Sequence, residues 1–323
     1  YEEGLFLLPD PVSKWIPEIA DKQVLVQDDA GVHRMTPRQP ITVRDVLAHT
    51  TGLDPARELL TEDEQKLLGR ESSLEATLIK RAPLPLAFHP GEDWQYGSST
   101  DYVALLVERI SGEPLQKFLQ ERIFDPLEMN DTSYVVPPEK RDRVATVYSP
   151  TGPNKTIEVY RTPDYSSVPF FGSDYYGGFA GLFSTASDYW RFSQMLLNGG
   201  KLGRTQLLSP KTINLMISNH SRDHDIYIRG PGYNFGLGFG ILNDAGIARD
   251  PITPGSFTWG GAWGTIFWVD PIENMIGIMM TQISSYSHLN VRQDVGVTAV
   301  QAITESYSNK PYSVQGYSVL NPQ

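Results

Sequence analysis

The serine and histidine residues limit the hydrolytic chemistry that this sequence can support. Nucleophilic catalysis needs a hydroxyl or thiol beside a base, and an oxyanion site built from backbone N–H groups. The segment Gly97-Ser98-Ser99-Thr100-Asp101 comes nearest to the Gly-x-Ser-x-Gly nucleophile elbow. Asp101 replaces the second glycine, however, and no strand leads into the segment. The α/β-hydrolase mechanism is therefore not indicated.

Metal-assisted and nucleotide chemistry are not indicated either. A zinc protease places two histidines in His-Glu-x-x-His, which is absent, and the histidines are dispersed at positions 33, 49, 89, 220, 224 and 288. The cluster Asp223-His224-Asp225 is typical of a solvated polar loop, since catalytic metals draw ligands from elements that the fold fixes. Gly177-Gly178 matches neither the Walker motif nor the dinucleotide fingerprint. We expect no metal and no organic cofactor. The remaining candidates are a tyrosine at a helix entrance, Tyr96, and a late glycine motif, Trp259-Gly260-Gly261-Ala262.

Composition excludes several classes of partner. The 323 residues carry 38 acidic and 27 basic side chains, a net charge of −11, and no Lys/Arg cluster that could follow a phosphate backbone. We therefore expect no nucleic-acid partner. Cysteine is absent, and no apolar run is long enough to span a membrane. The sequence leaves the compartment and the oligomeric state open.

Helix and strand signals predict an α+β protein, with an antiparallel sheet flanked by helices and a mainly helical region. Capping-box spacing predicts helices that begin at Thr42 and at Ser72-Ser73-Leu74-Glu75. Apolar spacing predicts a helix over 99–110 that Gly112 closes. Further helices are predicted over 115–123, 188–198, from Ser209 and over 291–307, strands over 235–242, 256–269 and 275–282, and irregular structure over 136–176.

The order of six motifs resembles the serine β-lactamase and penicillin-binding-protein superfamily, especially its class C and esterase-like branch. The motifs are Asp10 to Pro17, Ile41 to Leu53, Phe88 to Ser98, Gly178 to Asp188, Met195 to Gly200 and Trp259 to Gly264. The resemblance covers nearly the whole chain. It implies one β-lactamase/transpeptidase-like catalytic domain over 1–323, with a helical region at about 42–230 and a sheet with a C-terminal helix at about 235–307.

The family nucleophile is the serine of a Ser-x-x-Lys motif, and no serine of this chain has a lysine three residues later. Thr77-Leu78-Ile79-Lys80 has the spacing with threonine but lies within a charged helix. Tyr1-Glu2-Glu3-Gly4 resembles the end of the helix that begins at the nucleophile, so we expect the Ser-x-x-Lys segment upstream of Tyr1. We accordingly expect the chain to lack its N-terminal segment and to be inactive alone.

The other catalytic motifs of the family have counterparts here. Tyr96 resembles the tyrosine of Tyr-x-Asn, which shares in proton transfer, and Ser98 stands at the asparagine position, where we expect it to bind substrate. A phenol, with an ordinary pKa of about 10, is a poor base at neutral pH unless a cation such as the family lysine assists it. Trp259, Gly260 and Gly261 replace Lys-Thr-Gly as substrate-binding positions, and the resemblance implies that the Ala262 N–H forms half of the oxyanion hole.

Loss of the Lys-Thr-Gly lysine removes a cation that would attract a substrate carboxylate, which favours neutral esters. Aromatic residues could line an apolar pocket, namely Trp94, Tyr96, Tyr175, Tyr176, Trp259 and Trp263. His49 is interpreted as a structural residue near the active-site wall.

The leading hypothesis is therefore a serine hydrolase that forms an acyl-enzyme, a carboxylesterase acting on small esters. Weak β-lactamase or D-Ala-peptidase activity on amides stays open. The alternative is a non-catalytic binding or scaffold protein that keeps the penicillin-binding fold.

Overall fold

The described part of the chain forms a mainly helical region and a five-stranded antiparallel sheet. The structure is a computed structural model that describes residues 1–29, 31–151, 156–160, 175–224, 226–284 and 289–307. The helices are α1 (Val43–Ala48), α2 (Glu62–Leu67), α3 (Leu74–Arg81), α4 (Ser99–Ser111), α5 (Leu115–Leu119), α6 (Ala186–Leu197), α7 (Pro210–Met216) and α8 (Val291–Val300). The strands are β1 (Val24–Asp28), β2 (Gly31–Met35), β3 (Tyr148–Thr151), β4 (Thr156–Val159), β5 (Lys201–Leu202), β6 (Thr205–Gln206), β7 (Tyr233–Phe235), β8 (Gly240–Leu242), β9 (Phe257–Gly260), β10 (Ile266–Asp270) and β11 (Met275–Met279).

The main sheet has the strand order β11-β10-β9-β8-β7, and all its neighbours are antiparallel. Successive side chains of a strand point to opposite faces. In β10, Phe267 and Val269 join an apolar core with α6 and α7, whereas Trp268 joins a second core with α8. Apolar layers on both faces thus hold the central strands, and β9 with its glycine motif lies among them.

Local sequence signals explain how the helices near the site begin and end. The Thr42 hydroxyl accepts the Asp45 N–H at 3.2 Å while the Asp45 carboxylate accepts the Thr42 N–H at 2.9 Å, so the predicted capping box at α1 is confirmed. The Gly112 cap of α4 is also confirmed, in left-handed conformation at φ 74°. At α3 the prediction is wrong by one residue, because the hydroxyl of Ser73, not Ser72, accepts the N–H of Ala76.

Two of the predicted strands are hairpins, which corrects the prediction. The run 235–242 contains the last residue of β7 and the whole of β8, and between them the Gly236 N–H donates to the Phe239 carbonyl at 2.8 Å. The run 256–269 divides into β9 and β10 around a turn at 261–265. A continuous apolar run shows that a segment is buried but does not show where the chain reverses.

Other boundaries also differ from the prediction. Within the stretch 136–176, β3 and β4 pair as antiparallel strands, and residues 152–155 and 161–174 lie outside the described ones. The helix predicted over 115–123 is α5 followed by a π-helical turn, Gln120–Phe124, and α8 ends at Val300. Within the described ranges, no helix has both the length and the hydropathy to cross a bilayer.

Candidate active site

Tyr96 lies where the helical region meets the sheet. It precedes α4 by three residues and contacts Trp259 of β9, with ring centroids 5.1 Å apart. The Trp259 indole N–H donates a long hydrogen bond of 3.4 Å to the Tyr96 hydroxyl oxygen. Two motifs separated by 163 residues therefore meet at one point.

Aromatic rings pack around this contact and join the two regions. Trp94 is 2% exposed and its ring lies nearly parallel to that of Tyr96, with 6.4 Å between centroids. Phe235 of β7 packs edge-on against Trp259 at 5.1 Å and against His49 at 5.3 Å. Such edge contacts favour fixed ring positions beyond simple area burial. The cluster holds Tyr96 in place from both sides.

His49 lies against the Tyr96 ring, with 4.8 Å between the ring centroids. It ends α1 in left-handed conformation at φ 60°. Burial lowers the pKa of His49 to about 4, so the imidazole is neutral at pH 7. Its Nε2 lies 3.3 Å from the Thr100 hydroxyl, while Nδ1 has no hydrogen-bond partner among the described residues. A neutral ring without a carboxylate partner does not form a triad.

Asp54 forms a hydrogen bond to the Tyr96-Gly97-Ser98 motif. This contact was not predicted from the sequence. The Asp54 carboxylate accepts the Ser98 N–H at 2.8 Å. A methyl group at Gly97 would lie 2.1 Å from Asp54 Oδ2, so only glycine permits this approach. Burial raises the pKa of Asp54, while Arg81 and Lys22 stabilise its charge. The Ser98 N–H is thus held by Asp54, and the predicted role of Ser98 in substrate binding stays a prediction.

A second buried carboxylate, Asp101, ties the first turn of α4 to the segment before α6. It is 1% exposed and accepts the Gly178 N–H at 2.8 Å. A methyl group at Gly178 would lie 2.1 Å from the Thr100 carbonyl oxygen, which explains the glycine at this position. Burial raises the pKa of Asp101. Asp101, which replaces the second glycine of the Gly-x-Ser-x-Gly pattern, therefore has a structural role.

The glycine motif forms the end of β9 and the turn into β10. Gly260 is the last residue of β9, and the Gly261 N–H donates to the Thr265 carbonyl at 2.9 Å across the turn. Ala262 is exposed, and its N–H donates to no acceptor in the described part of the chain. An external oxyanion could therefore accept it. Arg292 of α8 also reaches this turn and was not singled out in the sequence.

The aromatic residues proposed to line a pocket fall into different places. Trp94, Tyr96 and Trp259 are in one cluster. Tyr175 is 1% exposed within the helical core, so it does not belong to an open pocket. Tyr176 packs against Tyr134, and Trp263 against Tyr160, in each case away from the cluster's ring contacts.

Metal ligation finds no support in the geometry of the described residues. No group of three or more histidine, aspartate or glutamate side chains among them is arranged to hold a metal ion. The cluster at 223–225 is only partly covered, since Asp225 lies outside those ranges. His224 instead lies with Nε2 3.3 Å from the Gly91 carbonyl oxygen.

Comparison with known proteins agrees with this fold. The sequence profile of the Beta-lactamase family matches residues 1–298. An uncharacterised protein of Mycobacterium tuberculosis is 31% identical over 296 residues, which cover 87% of this chain and 72% of that protein. Lovastatin esterase of Penicillium rubens is 28% identical over 306 residues, which cover 86% of this chain and 73% of the esterase. The structure of EstCE1, described as a hydrolase with promiscuous acyltransferase activity, matches this one with a TM-score of 0.72 and 25% sequence identity. The match covers 92% of this chain and 78% of the EstCE1 chain.

The fold is that of the β-lactamase/transpeptidase-like proteins, as the sequence motifs predict. The chain belongs to the Beta-lactamase family. Its relatives in that family include esterases.

Proposed function

We propose that this protein is a serine hydrolase that acts through an acyl-enzyme and that its substrates are small neutral esters. The observation that carries the proposal is the contact of Tyr96 with Trp259, because it joins the tyrosine motif to the glycine motif in one site. Ala262 is an exposed residue two positions beyond the end of β9, and its N–H has no acceptor among the described residues.

In the proposed reaction, the serine hydroxyl of a Ser-x-x-Lys motif upstream of residue 1 attacks the carbonyl carbon of the ester. Its proton passes through Tyr96 and the lysine to the leaving alcohol oxygen as the ester C–O bond breaks. The acyl group is then esterified to the serine. Water attacks this acyl-enzyme, the serine recovers a proton, and a carboxylic acid leaves. The N–H groups of Ala262 and of the serine bind the oxyanion in both steps.

Neutral, apolar substrates are supported by the character of the site walls. Trp259 and Gly260 stand where the resemblance places lysine and threonine, so the motif itself has no cationic side chain. The guanidinium of Arg292 lies beside Gly260, but it donates to the carbonyls of Gly261 and Thr265. The rings of Trp94 and Trp259 supply apolar surface beside Tyr96. We expect ester hydrolysis to exceed hydrolysis of β-lactams or D-Ala peptides, which carry a carboxylate.

Residues 1–323 contain no serine followed by lysine at the third position. The proposal therefore includes that these residues alone form no acyl-enzyme. The same observation favours a second candidate function, a non-catalytic binding protein on this fold, if the complete protein also lacks Ser-x-x-Lys.

The experiment is ester hydrolysis by the complete protein, with p-nitrophenyl acetate, butyrate and octanoate compared with a chromogenic β-lactam. Loss of a proton-transfer group costs about 10²–10⁴-fold in rate, and we expect Tyr96→Phe to lower kcat on the esters by about that factor. Tyr148→Phe is the matched control, because Tyr148 of β3 has an exposed side chain. If Tyr96→Phe kept more than half of the parent kcat, the proposed role of Tyr96 would be wrong.

A further inference from the structure

Arg292 fixes the turn that carries the candidate oxyanion donor. It is the second residue of α8, and its guanidinium reaches the turn between β9 and β10. Arg292 Nη2 donates to the carbonyl of Gly261 and, at 2.7 Å, to that of Thr265. Its Nε donates to the Gly264 carbonyl at 3.4 Å. One side chain thus binds three carbonyl groups of a single turn.

Gly260 leaves room for this guanidinium. A methyl group built at Gly260 would lie 2.8 Å from Cζ of Arg292 and 2.9 Å from both Nη atoms, distances that side-chain carbons do not tolerate. The guanidinium therefore occupies the space that a side chain at position 260 would take. The missing side chain of the glycine motif is explained by an arginine that follows it by 32 positions in the sequence.

The bond to Gly261 acts directly on the Ala262 amide. The Gly261 carbonyl and the Ala262 N–H belong to the same planar peptide group, in which the two bonds point in opposite directions. A donor that fixes the carbonyl consequently fixes the direction of the N–H. Hydrogen bonds in series also polarise one another, so the bound carbonyl makes the Ala262 N–H a better donor.

Other contacts complete the turn without engaging the Ala262 N–H. The Trp263 carbonyl accepts from the Ile283 N–H at 2.9 Å and from the Thr281 hydroxyl at 3.1 Å. The Gly264 N–H donates to the Gly261 carbonyl at 3.1 Å. Each carbonyl named here accepts a hydrogen bond from a donor within the protein, while the Ala262 N–H has no acceptor among the described residues.

We propose that Arg292 is a positioning residue for catalysis, which aims and polarises the Ala262 N–H through the carbonyl of the shared peptide group, and that Gly260 is required to admit its guanidinium. This inference rests on the proposed esterase function. Oxyanion donors act chiefly through such prior orientation, and loss of one costs about 10²–10³-fold in kcat. Misdirecting the donor should cost less than losing it.

The test uses the complete protein with Arg292→Met, Arg292→Lys and Gly260→Ala, and Gly296→Ala as the matched control. Gly296 lies on the same helix with open space around it. With kcat expressed per fluorophosphonate-titrated site, we expect about a 10–100-fold loss for the first three variants and less than a twofold change for Gly296→Ala. KM should change less than kcat. The Ki of a trifluoromethyl ketone, which forms a tetrahedral oxyanion on the serine, should rise in step with the loss of kcat. Arg292→Lys keeps the charge but lacks the planar fork of donors, so it should not rescue activity.

Hydrogen exchange of the turn 261–265 separates this inference from the proposed function. Faster amide exchange of the turn in Arg292→Met than in the parent protein would support the inference that Arg292 fixes this turn. This result would stand even if the protein proves to have no esterase activity. Unchanged exchange overturns the inference. In an active parent enzyme, a kcat for Arg292→Met within twofold of the parent also overturns it, while the esterase proposal stands. Absence of any serine adduct on the parent overturns the esterase proposal itself.

Discussion

Asp54→Ala should destabilise the protein by loosening the motif that carries Tyr96. The Asp54 carboxylate accepts the Ser98 N–H at 2.8 Å, and a hydrogen bond to a charged group contributes about 1.5–3 kcal/mol. Removal also leaves Lys22 and Arg81 without their nearby negative charge. Burial of Asp54 opposes these effects, because a buried carboxylate carries a desolvation cost that alanine avoids. Since a hydrogen bond to a charged acceptor is lost and the Ser98 N–H is left without this partner, we expect a net loss of about 1.5–3 kcal/mol in the free energy of unfolding.

Urea unfolding at pH 7, followed by tryptophan fluorescence, measures this loss. Asp54→Asn keeps an acceptor for the Ser98 N–H and should lose about half as much as Asp54→Ala. Asp63→Ala is the control, because Asp63 pairs with Lys66 at the surface, their side chains being 91% and 73% exposed. A surface pair of this kind contributes about 0–1 kcal/mol. If Asp54→Ala and Asp63→Ala were destabilised equally, Asp54 would not be the anchor of the motif.

Three further perturbations should have the following effects. Burial lowers the pKa of Lys22 from 10.5 to about 8, so the unfolded chain binds more protons than the folded protein between those two pH values. The free energy of unfolding should therefore rise with pH across that window, by up to about 3 kcal/mol. In urea titrations at pH 8 and 10.5, Lys22→Met should lack this rise. Burial lowers the pKa of His49 from 6.5 to about 4, so stability should fall by up to about 3 kcal/mol as the pH falls through that window; an equal fall in His49→Gln would contradict the assignment. Gly97→Ala should lower both Tm and esterase activity, because its methyl group would lie 2.1 Å from Asp54 Oδ2, whereas Gly69→Ala, whose nearest neighbour is the Lys80 ammonium at 3.4 Å, should change neither.

The sequence predicts local features well where the determining residues are neighbours. Thr42 and Asp45 are three residues apart, and they form the capping box of α1 as predicted. Ser209 and Pro210 likewise begin α7. Caps and turns depend on hydrogen bonds between residues a few positions apart, so the local sequence motif contains both the donor residue and the acceptor residue. The family motifs extend this to the fold, because their order implies an architecture that local signals alone do not give.

The supporting residues of the site could not be predicted in the same way. Asp54 is one carboxylate among 38 acidic side chains, and its partner Ser98 lies 44 positions away. Arg292 acts on a turn about 30 positions earlier, through carbonyl groups that carry no sequence signal. The hairpin reversal inside 256–269 was missed for a related reason, since apolar residues occupy both of its strands. These features depend on tertiary packing, which single-sequence patterns do not encode.

The central claim is that a serine upstream of residue 1 is acylated in the site formed around Tyr96 and Ala262. Intact-protein mass spectrometry after incubation with a fluorophosphonate tests it most directly, with the complete protein beside residues 1–323. We predict one covalent adduct on the complete protein, located on the serine of Ser-x-x-Lys, and no adduct on residues 1–323. An unmodified complete protein would contradict the claim and favour a non-catalytic binding protein with this fold.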